Sequence, residues 1–421
     1  MRPTPCKRLL SLFVQAIGTT QPDFFARRRG IMPPAVAVLG LMCMTSLGLR
    51  TGYEGLMVSM FASLGGALAW PDYPAASTFC RARKKLTQAM FEAFREEVYR
   101  LAGPTVRTFM PRRRGFRVVA IDGSWISVPN SRLLRRLLGI HRIGPKRCPM
   151  GKPQVLLVVI TDALTRMPIA RVILPGNGSE RAAAKILLKH LRRDDILVAD
   201  RGYHGRDMLA AIHATGCRYV LRVPGGNSAW QEMRGFQRRR CRDALVVINH
   251  KKTSILARHL RISSGPGRPR RGSKRETMFL LTNLPASWSV KKVEAIYRAR
   301  WGVETMFREL KSTLETNRLH ARTLEGVVQE LDACCLHLAI AAFLDMATIN
   351  QHKDSAKSGP TKYQTNRSTL LLIVAIAFMT LDDDVLKRSG QAAITAARRA
   401  PLIRPGRHAP RKKRMFGKYG K

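Results

Sequence analysis

The chain has 421 residues, with 74 Lys and Arg against 28 Asp and Glu, and its formal net charge is +46. This length allows more than one domain with its own core. The charge exceeds what solubility requires and predicts a polyanionic partner, either nucleic acid or an anionic membrane surface. Because basic residues recur over the whole length, a single basic tail does not explain the excess.

The cysteine pattern argues against structural zinc and against secretion. The chain has 8 cysteines, and none forms a CxxC pair or a Cys/His set with zinc-ligand spacing. Scattered cysteines without a clear secretory signal are typical of a reducing compartment. We therefore predict a cytoplasmic protein.

Apolar stretches at 31–49, 56–70 and 369–381 raise the alternative of a membrane protein. The first carries prolines and glycines, the second is interrupted by glycines, and the third is shorter than the roughly 20 residues of a span. These features favour buried helices, and we predict no membrane association.

In chain order, a helical N-terminal region comes first. A helix is predicted over 77–101, with Ser77 or Thr78 as its N-cap and Gly103-Pro104 at its end. From residue 116 strands and helices alternate. FRVVAID is predicted as a strand ending in Asp122, QVLLVVITD and MPIARVILP as a hairpin, and SERAAAKILLKHLRR as a helix.

The alternation continues with DILVAD as a buried strand ending in Asp200, RDMLAAIHATG as a helix and CRYVLRVP as a strand. This order predicts an α/β domain with a mixed sheet. The section that follows is rich in Gly and Arg but keeps strand-like runs, such as ALVVI and MFLLTNL. We interpret it as an inserted β-rich subdomain, after which helices return.

The predicted parts are a helical N-terminal region at 1–110, a first core part at 111–224, a β-rich insertion at 225–287, core helices at 288–349, a polar linker with a helical region at 350–397, and a disordered basic tail at 398–421.

Two aspartates stand at equivalent places in this pattern. Asp122 and Asp200 each end an apolar strand and each precede a glycine-containing turn. Either one alone is most simply a turn or cap residue. If their strands are neighbours, however, the two carboxylates lie at one edge of the sheet, close enough to share a divalent metal.

The segment YRARWGVETMFRELK at 297–311 carries a third carboxylate among cations. On a helix, its Tyr, Arg, Glu and Lys side chains fall within an arc of about 80°, beside an apolar stripe. A surface ion-pair cluster is the simplest interpretation, and each i,i+4 pair contributes only about 0.2–0.5 kcal/mol. That interpretation explains the charges but not the tyrosine or the two aspartates upstream.

The spacing Y-x2-R-x3-E-x6-K in this segment resembles the YREK signature of bacterial insertion-sequence DDE transposases, the cut-and-paste group. AIDGS at 120–124 and ADRGY at 199–203 match the same family in order and context. The resemblance covers about residues 77 to 345. It implies an α/β fold, with a ribonuclease-H-like mixed-sheet catalytic core interrupted by a β-rich insertion and flanked by helical N-terminal and C-terminal regions.

Carried over by position, the resemblance implies that Asp122, Asp200 and Glu304 hold two Mg²⁺ ions, for which Mn²⁺ would substitute. Tyr297, Arg300 and Lys311 would bind phosphates of the transposon end. Arg308 joins this DNA-binding set from the helical projection alone. Basic residues of the N-terminal helix are also expected to bind transposon-end DNA, and these are Arg81, Arg83, Lys84 and Lys85.

The predicted function is that of a DNA transposase. It would bind the terminal inverted repeats of an insertion sequence, cleave the double-stranded DNA at the ends and transfer them to target DNA. Holding two ends together implies a homodimer in the synaptic complex, associated with the bacterial nucleoid when bound to DNA. Two alternatives stay open: an inactive or repurposed transposase-derived DNA-binding protein, and a ribonuclease-H-like nuclease without strand transfer.

Overall fold

The structure is a computed structural model that describes residues 32, 34–46, 52–64, 70–109, 116–140, 151–238, 241–251, 253–263, 277–355, 367–380 and 388. The predicted basic tail at 398–421 lies outside the described residues.

One mixed sheet of eight strands dominates the described fold, in the order β3-β2-β1-β4-β5-β8-β7-β6. β1, β4 and β5 are parallel neighbours at its centre, and the remaining pairs are antiparallel. The strands are β1 (Arg117–Ser127), β2 (Gln154–Asp162), β3 (Pro168–Pro175), β4 (Asp195–Ala199), β5 (Arg218–Val223), β6 (Asp243–His250), β7 (Thr253–Ser263) and β8 (Thr277–Thr282). The α/β fold with a mixed sheet is thus confirmed, as is the predicted hairpin of β2 and β3.

Helices cover both faces of this sheet, which is why its central strands are apolar nearly throughout. The helices are α1 (Pro34–Ser46), α2 (Gly52–Leu64), α3 (Ala76–Arg83), α4 (Gln88–Phe109), α5 (Arg132–Leu138), α6 (Glu180–Leu187), α7 (Arg206–Ala214), α8 (Gln231–Arg238), α9 (Val290–Arg298), α10 (Trp301–Ser312), α11 (Leu324–Ser355) and α12 (Arg367–Thr380).

The period-2 alternation of the strands separates two cores. Val118 and Ala120 of β1 face a large cluster that includes side chains of α1, α4 and α9 to α12. Val119 and Ile121 face the other cluster, with side chains of α6, α7 and α8. Each residue of β1 is therefore assigned to one set of helices by its position in the alternation.

The strands β6 to β8 lie in the region predicted as an insertion, and they extend the central sheet instead of forming a second one. β8 pairs with β5, with Leu221 opposite Leu281, and β7 and β6 follow outward. The physical reason is that β5 would otherwise leave an edge of unpaired backbone groups. The predicted division of the chain into parts stays a prediction.

The single helix predicted over 77–101 is wrong in its bounds. It is divided into α3 and α4, because the chain turns at Lys84–Thr87 and Thr87 Oγ1 accepts a hydrogen bond from Met90 N at 3.3 Å, beginning a new helix. α3 begins at Ala76, and α4 continues through Gly103-Pro104 to Phe109. Pro104 has no backbone N–H and so removes one hydrogen-bond donor from α4, but the helix is long and continues past it.

Among the described helices, one is long and apolar enough to cross a membrane by composition. This is the Leu324–Met346 part of α11, and 83% of its most apolar window is buried inside the protein. A helix that is apolar on all sides is typical of a protein core, and this part of α11 is buried against neighbouring helices.

A buried ion pair fastens the start of β1 to the start of β4. The Arg117 guanidinium donates to both carboxylate oxygens of Asp195, at 2.7 and 2.6 Å, and also to the Tyr99 hydroxyl of α4. The side chains of Arg117 and Asp195 are 8% and 0% exposed. This pair sets the alignment of the two strands that carry the aspartates singled out above.

Candidate active site

Asp122 and Asp200 lie side by side at one end of the parallel strands β1 and β4. The paired residues Ala120 and Val198 each precede one of the aspartates by two positions. Adjacent strands are about 4.8 Å apart, so the two aspartates follow neighbouring positions at this edge. The condition on which the sequence argument depended, that the two strands are neighbours, is met.

The strand of Asp122 is longer than expected. β1 does not end at Asp122, because its pairing with β2 continues from Gly123 opposite Val158 to Ser127 opposite Gln154. Only the pairing with β4 stops before the aspartate. Asp200, in contrast, follows β4 directly and caps a short 3₁₀ turn over Arg201–Tyr203, where its Oδ1 accepts a hydrogen bond from Gly202 N at 2.7 Å.

α10 brings the third carboxylate, Glu304, to the same edge. It packs on the face of β1 to which Val118, Ala120 and, by alternation, Asp122 belong. The packing is close at Gly302, where an added Cβ would lie 2.2 Å from the backbone oxygen of Ala163. Since Ala163 follows β2 directly, Gly302 is the residue that lets the beginning of α10 approach the sheet.

Gly302→Ala is therefore expected to displace α10, because a backbone oxygen cannot move aside as a flexible side chain can. The resemblance to DDE transposases implies that α10 carries a catalytic carboxylate, and a shift near 1 Å of a catalytic group costs about a hundredfold in rate. The measurement is the variant's rate of metal-dependent DNA cleavage, the activity that this resemblance implies. Gly235→Ala on α8 is the matched control, since nothing lies within 4 Å of its added Cβ. A Gly302→Ala protein that cleaves at the rate of the natural protein would contradict the role given to Gly302.

Arg300 connects two of the three carboxylates. Its Nη1 lies 3.9 Å from Asp122 Oδ2, and its Nη2 donates to Glu304 Oε1 at 2.5 Å. The three side chains are 10% (Arg300), 20% (Asp122) and 33% (Glu304) exposed, so this guanidinium lies between two partly buried carboxylates. Arg300 and Glu304 thus form an i,i+4 pair of the kind that a surface ion-pair cluster would contain, but the same guanidinium also contacts Asp122 of β1.

Negative charge accumulates around Asp122. The pKa of Asp122 is raised to about 7, mainly by burial and also by the charges of Asp200 and Glu180, while the Gly123 amide and Arg300 oppose the rise. A carboxylate in this situation gains from a bound cation, which removes the repulsion between neighbouring charges. The set of acidic oxygens suits a hard divalent ion such as Mg²⁺.

The carboxylates do not yet converge on one point. Among the residues that the structure describes, no group of three or more His, Cys, Asp or Glu side chains is arranged to hold a metal ion. The guanidinium of Arg300 lies between Asp122 and Glu304 and pairs with both. Carboxylate oxygens are ligands that a divalent ion prefers, but those of Asp122 and Glu304 are occupied by this guanidinium.

The segment 297–311 is interrupted and does not form one uniform helix. α9 ends at Arg298, α10 begins at Trp301, and i→i+3 hydrogen bonds join them, including Arg300 N to Tyr297 O at 3.0 Å. Tyr297 and Arg300 are buried, at 5% and 8% exposure. Arg308 is exposed and Lys311 is half-buried.

These exposures divide the residues of this segment that were predicted to bind DNA into a buried pair and an accessible pair. The Arg300 guanidinium also lies 5.9 Å from the Tyr297 ring centroid, so both side chains pack at the base of the site. Burial lowers the pKa of Lys311. Arg308 and Lys311 are the accessible cations of α10, whereas Arg300 is buried against the carboxylates and Tyr297 is buried beside Arg300.

The N-terminal cations divide in the same way. Arg81, Lys84 and Lys85 are exposed, as DNA binding requires. Arg83 is 6% exposed and donates to Gln329 Oε1, Gly326 O and Glu330 Oε1 of α11, at 3.1, 2.9 and 3.2 Å. Arg83 therefore fastens α3 to α11 and does not have the exposed position expected of it.

Sequence reasoning missed a fourth carboxylate, Glu180, at the first position of α6. Its Oε1 accepts a hydrogen bond from the Tyr203 hydroxyl at 2.6 Å, and it lies against Gly123. In the sequence, Glu180 resembles any acidic residue in the first turn of a helix. The ADRGY segment contains Tyr203, but no local signal indicates which side chain it meets.

The chain is similar to a known protein family in sequence and to a solved structure in fold. The sequence profile of the family described as "Transposase DDE domain" matches residues 113–340, more than half of the chain. No curated protein sequence matches the chain. Among solved structures, piggyBac transposase in a synaptic complex with hairpin DNA is similar over 95% of this chain and 86% of that chain, at 13% identity and a TM-score of 0.46.

Proposed function

Because this chain belongs to the family of the transposase DDE domain, we propose that it is a DNA transposase that binds the terminal inverted repeats of its own insertion sequence. It cleaves the DNA at these ends and transfers them to target DNA. The observation that carries the proposal is that Arg300 pairs with both Asp122 and Glu304, at the sheet edge where Asp200 follows the neighbouring strand.

Asp122, Asp200 and Glu304 are the residues that would hold the divalent ions. Bound Mg²⁺, or Mn²⁺ in its place, would activate the attacking hydroxyl and stabilise the leaving oxygen of the phosphodiester. Arg300 has to release Glu304 before all three carboxylates can bind a cation, since its Nη2 lies 2.5 Å from Glu304 Oε1. Until then, Arg300 neutralises two of the carboxylates.

Cations near the site and on the N-terminal helices account for DNA binding. Arg308 and Lys311 follow Glu304 on α10 and are accessible for the phosphates beside the reacting bond. Arg81, Lys84 and Lys85 supply a second contact region, and the formal charge of +46 supports a polyanionic partner. Binding both transposon ends at once implies a homodimer.

The test supplies the purified protein with linear DNA that carries the terminal repeats, in Mg²⁺ and in EDTA. We expect cleavage at the ends in Mg²⁺ alone, followed by joining to target DNA. Glu304→Gln is expected to bind the ends but not to cleave them, because the amide keeps an acceptor for Arg300 and loses the charge that holds a cation.

Glu294→Gln is the matched control, because Glu294 forms an i,i+4 ion pair with Arg298 on the neighbouring helix α9, at 2.5 Å. It is expected to cleave like the natural protein. Equal cleavage by Glu304→Gln and the natural protein would refute the assignment of the site. Metal-dependent cleavage without joining would identify a nuclease, and end binding without cleavage by the natural protein would identify an inactive DNA-binding protein.

A further inference from the structure

Glu180 makes a contact that an ordinary helix-capping residue does not need. Its helix is already capped by Ser179, whose hydroxyl accepts a hydrogen bond from Ala182 N at 3.3 Å. Glu180 instead turns to the Asp200 side of the site, where its Oε1 accepts the Tyr203 hydroxyl at 2.6 Å. Tyr203 is 2% exposed, so this hydrogen bond is shielded from water.

Glu180 also touches the strand that carries Asp122. An added Cβ on Gly123 would lie 2.6 Å from Glu180 Oε1, so the carboxylate rests directly on the backbone next to Asp122. Gly123 faces α6, whereas Asp122 faces α10, because successive residues of a strand alternate. Glu180 thus supports β1 from the face opposite to Arg300 and Glu304.

The neighbouring residue strengthens the contact on the Asp200 side. Arg181 Nε donates to Gly202 O at 2.7 Å, and Gly202 N in turn donates to Asp200 Oδ1 at 2.7 Å. The first two residues of α6 therefore hold the turn of Asp200 by its backbone and by Tyr203. Of these two residues, Glu180 also contacts β1, at Gly123.

We propose that Glu180 is a positioning residue that fixes the ends of β1 and β4 relative to each other. Its carboxylate also adds a negative charge behind Asp122 and Asp200, on the face of β1 opposite to Glu304. This inference rests on the proposed function. Outer carboxylates and hydroxyls that orient cation-binding groups commonly change metal affinity or activity by about 10–100-fold when they are removed. An acid that only caps a helix would contribute to the stability of the helix and nothing to cation binding.

The test separates the charge of Glu180 from its hydrogen bond. Glu180→Gln keeps the size and an acceptor oxygen for Tyr203 but removes the charge, and Tyr203→Phe removes only the donor. For each variant, two quantities are measured: the Mg²⁺ concentration for half-maximal end cleavage, and the rise in melting temperature caused by Mn²⁺ without DNA.

We expect each substitution to raise the half-maximal Mg²⁺ concentration about 10–100-fold and to reduce the Mn²⁺-induced stabilisation. Because the two side chains act through one contact, the Glu180→Gln/Tyr203→Phe double variant should lose less than the sum of the single losses. Glu232→Gln is the matched control: Glu232 also lies in the first turn of a helix, α8, and is paired with Arg206 at 2.8 Å. Its cation dependence should equal that of the natural protein.

Two outcomes would overturn the positioning role. In one, both single variants keep the natural Mg²⁺ dependence; in the other, Glu180→Gln lowers only the melting temperature in EDTA. If Glu180→Gln does not fold, Tyr203→Phe decides alone. If the natural protein neither cleaves DNA ends nor is stabilised by Mn²⁺, the proposed function is refuted as well. If the natural protein cleaves and is stabilised by Mn²⁺, and the two variants behave as it does, only the role of Glu180 is refuted.

Discussion

Asp122→Asn is expected to abolish end cleavage and, in EDTA at pH 8, to make the protein more stable. Under the proposed function Asp122 binds a cation, and losing such a carboxylate removes several kcal/mol of transition-state stabilisation. Because about 1.36 kcal/mol is tenfold in rate, the expected loss is about a thousandfold or more. The stability gain has a separate cause, which is the cost of ionising Asp122 in a buried position next to Asp200 and Glu180.

The sign of this second effect follows from the pKa of Asp122, which burial raises from 3.8 to about 7. The folded protein keeps the proton to a higher pH than the unfolded chain does. Stability in EDTA therefore falls as the pH rises from about 4 to about 7, and the full cost is present at pH 8. An asparagine carries no charge, so the variant lacks this fall. Its free energy of unfolding at pH 8 should exceed that of the natural protein by up to about 4 kcal/mol.

Cleavage assays and thermal denaturation in EDTA at pH 5 and pH 8 measure the two effects. Asp207→Asn serves as the control, since its exposed carboxylate has a pKa lowered by the hydrogen bond to His250. This control should cleave normally and gain no stability at pH 8. An Asp122→Asn protein that is less stable than the natural one at pH 8 would refute the electrostatic argument.

Arg117→Met is expected to lower the free energy of unfolding by about 3–5 kcal/mol, because it leaves a buried carboxylate without its partner. Asp195 is 0% exposed and receives both guanidinium hydrogen bonds of Arg117. It retains the backbone N–H of Arg192, at 2.8 Å, which does not neutralise its charge. Urea denaturation measures the change.

The matching surface change is Arg100→Met. Arg100 pairs with Glu97 at i,i+3, but its side chain is 67% exposed. Such a pair contributes at most about 1 kcal/mol. Equal losses in the two variants would mean that burial of the Arg117 pair has no energetic consequence.

Residue type and order predicted much of the site but not its side-chain geometry. In the sequence, Asp122, Asp162 and Asp200 each end an apolar run, and only their three-dimensional settings differ. Asp162 is the last residue of β2, is 0% exposed and accepts the backbone N–H groups of Leu164 and Thr165, at 3.0 and 2.9 Å, so it is a turn residue. Strand periodicity does not distinguish it from Asp122.

The apolar runs predicted the strands β1 and β4 and the β2–β3 hairpin, because buried strands need continuous apolar sequence on both faces. That β1 and β4 are parallel neighbours was a condition of the sequence argument, and the structure supplies it. Arg83 could not be assigned from the sequence. A lysine or arginine on a helix is usually exposed, and only the packing of α3 against α11 brings Glu330 and Gln329 to it. Glu180 is a similar case, since it meets Tyr203 from a distance of 23 residues in the chain.

The carboxylates come from β1, β4 and α10, and this order has a consequence for incomplete chains. Asp122 and Asp200 are translated well before Glu304 and the Arg300 that accompanies it. A polypeptide that terminates in β8 contains the paired aspartates but neither of these partners. Under the proposed function, premature termination or early proteolysis would leave a fragment without the complete cutting centre, so damage to the chain would silence the enzyme rather than release an unregulated nuclease.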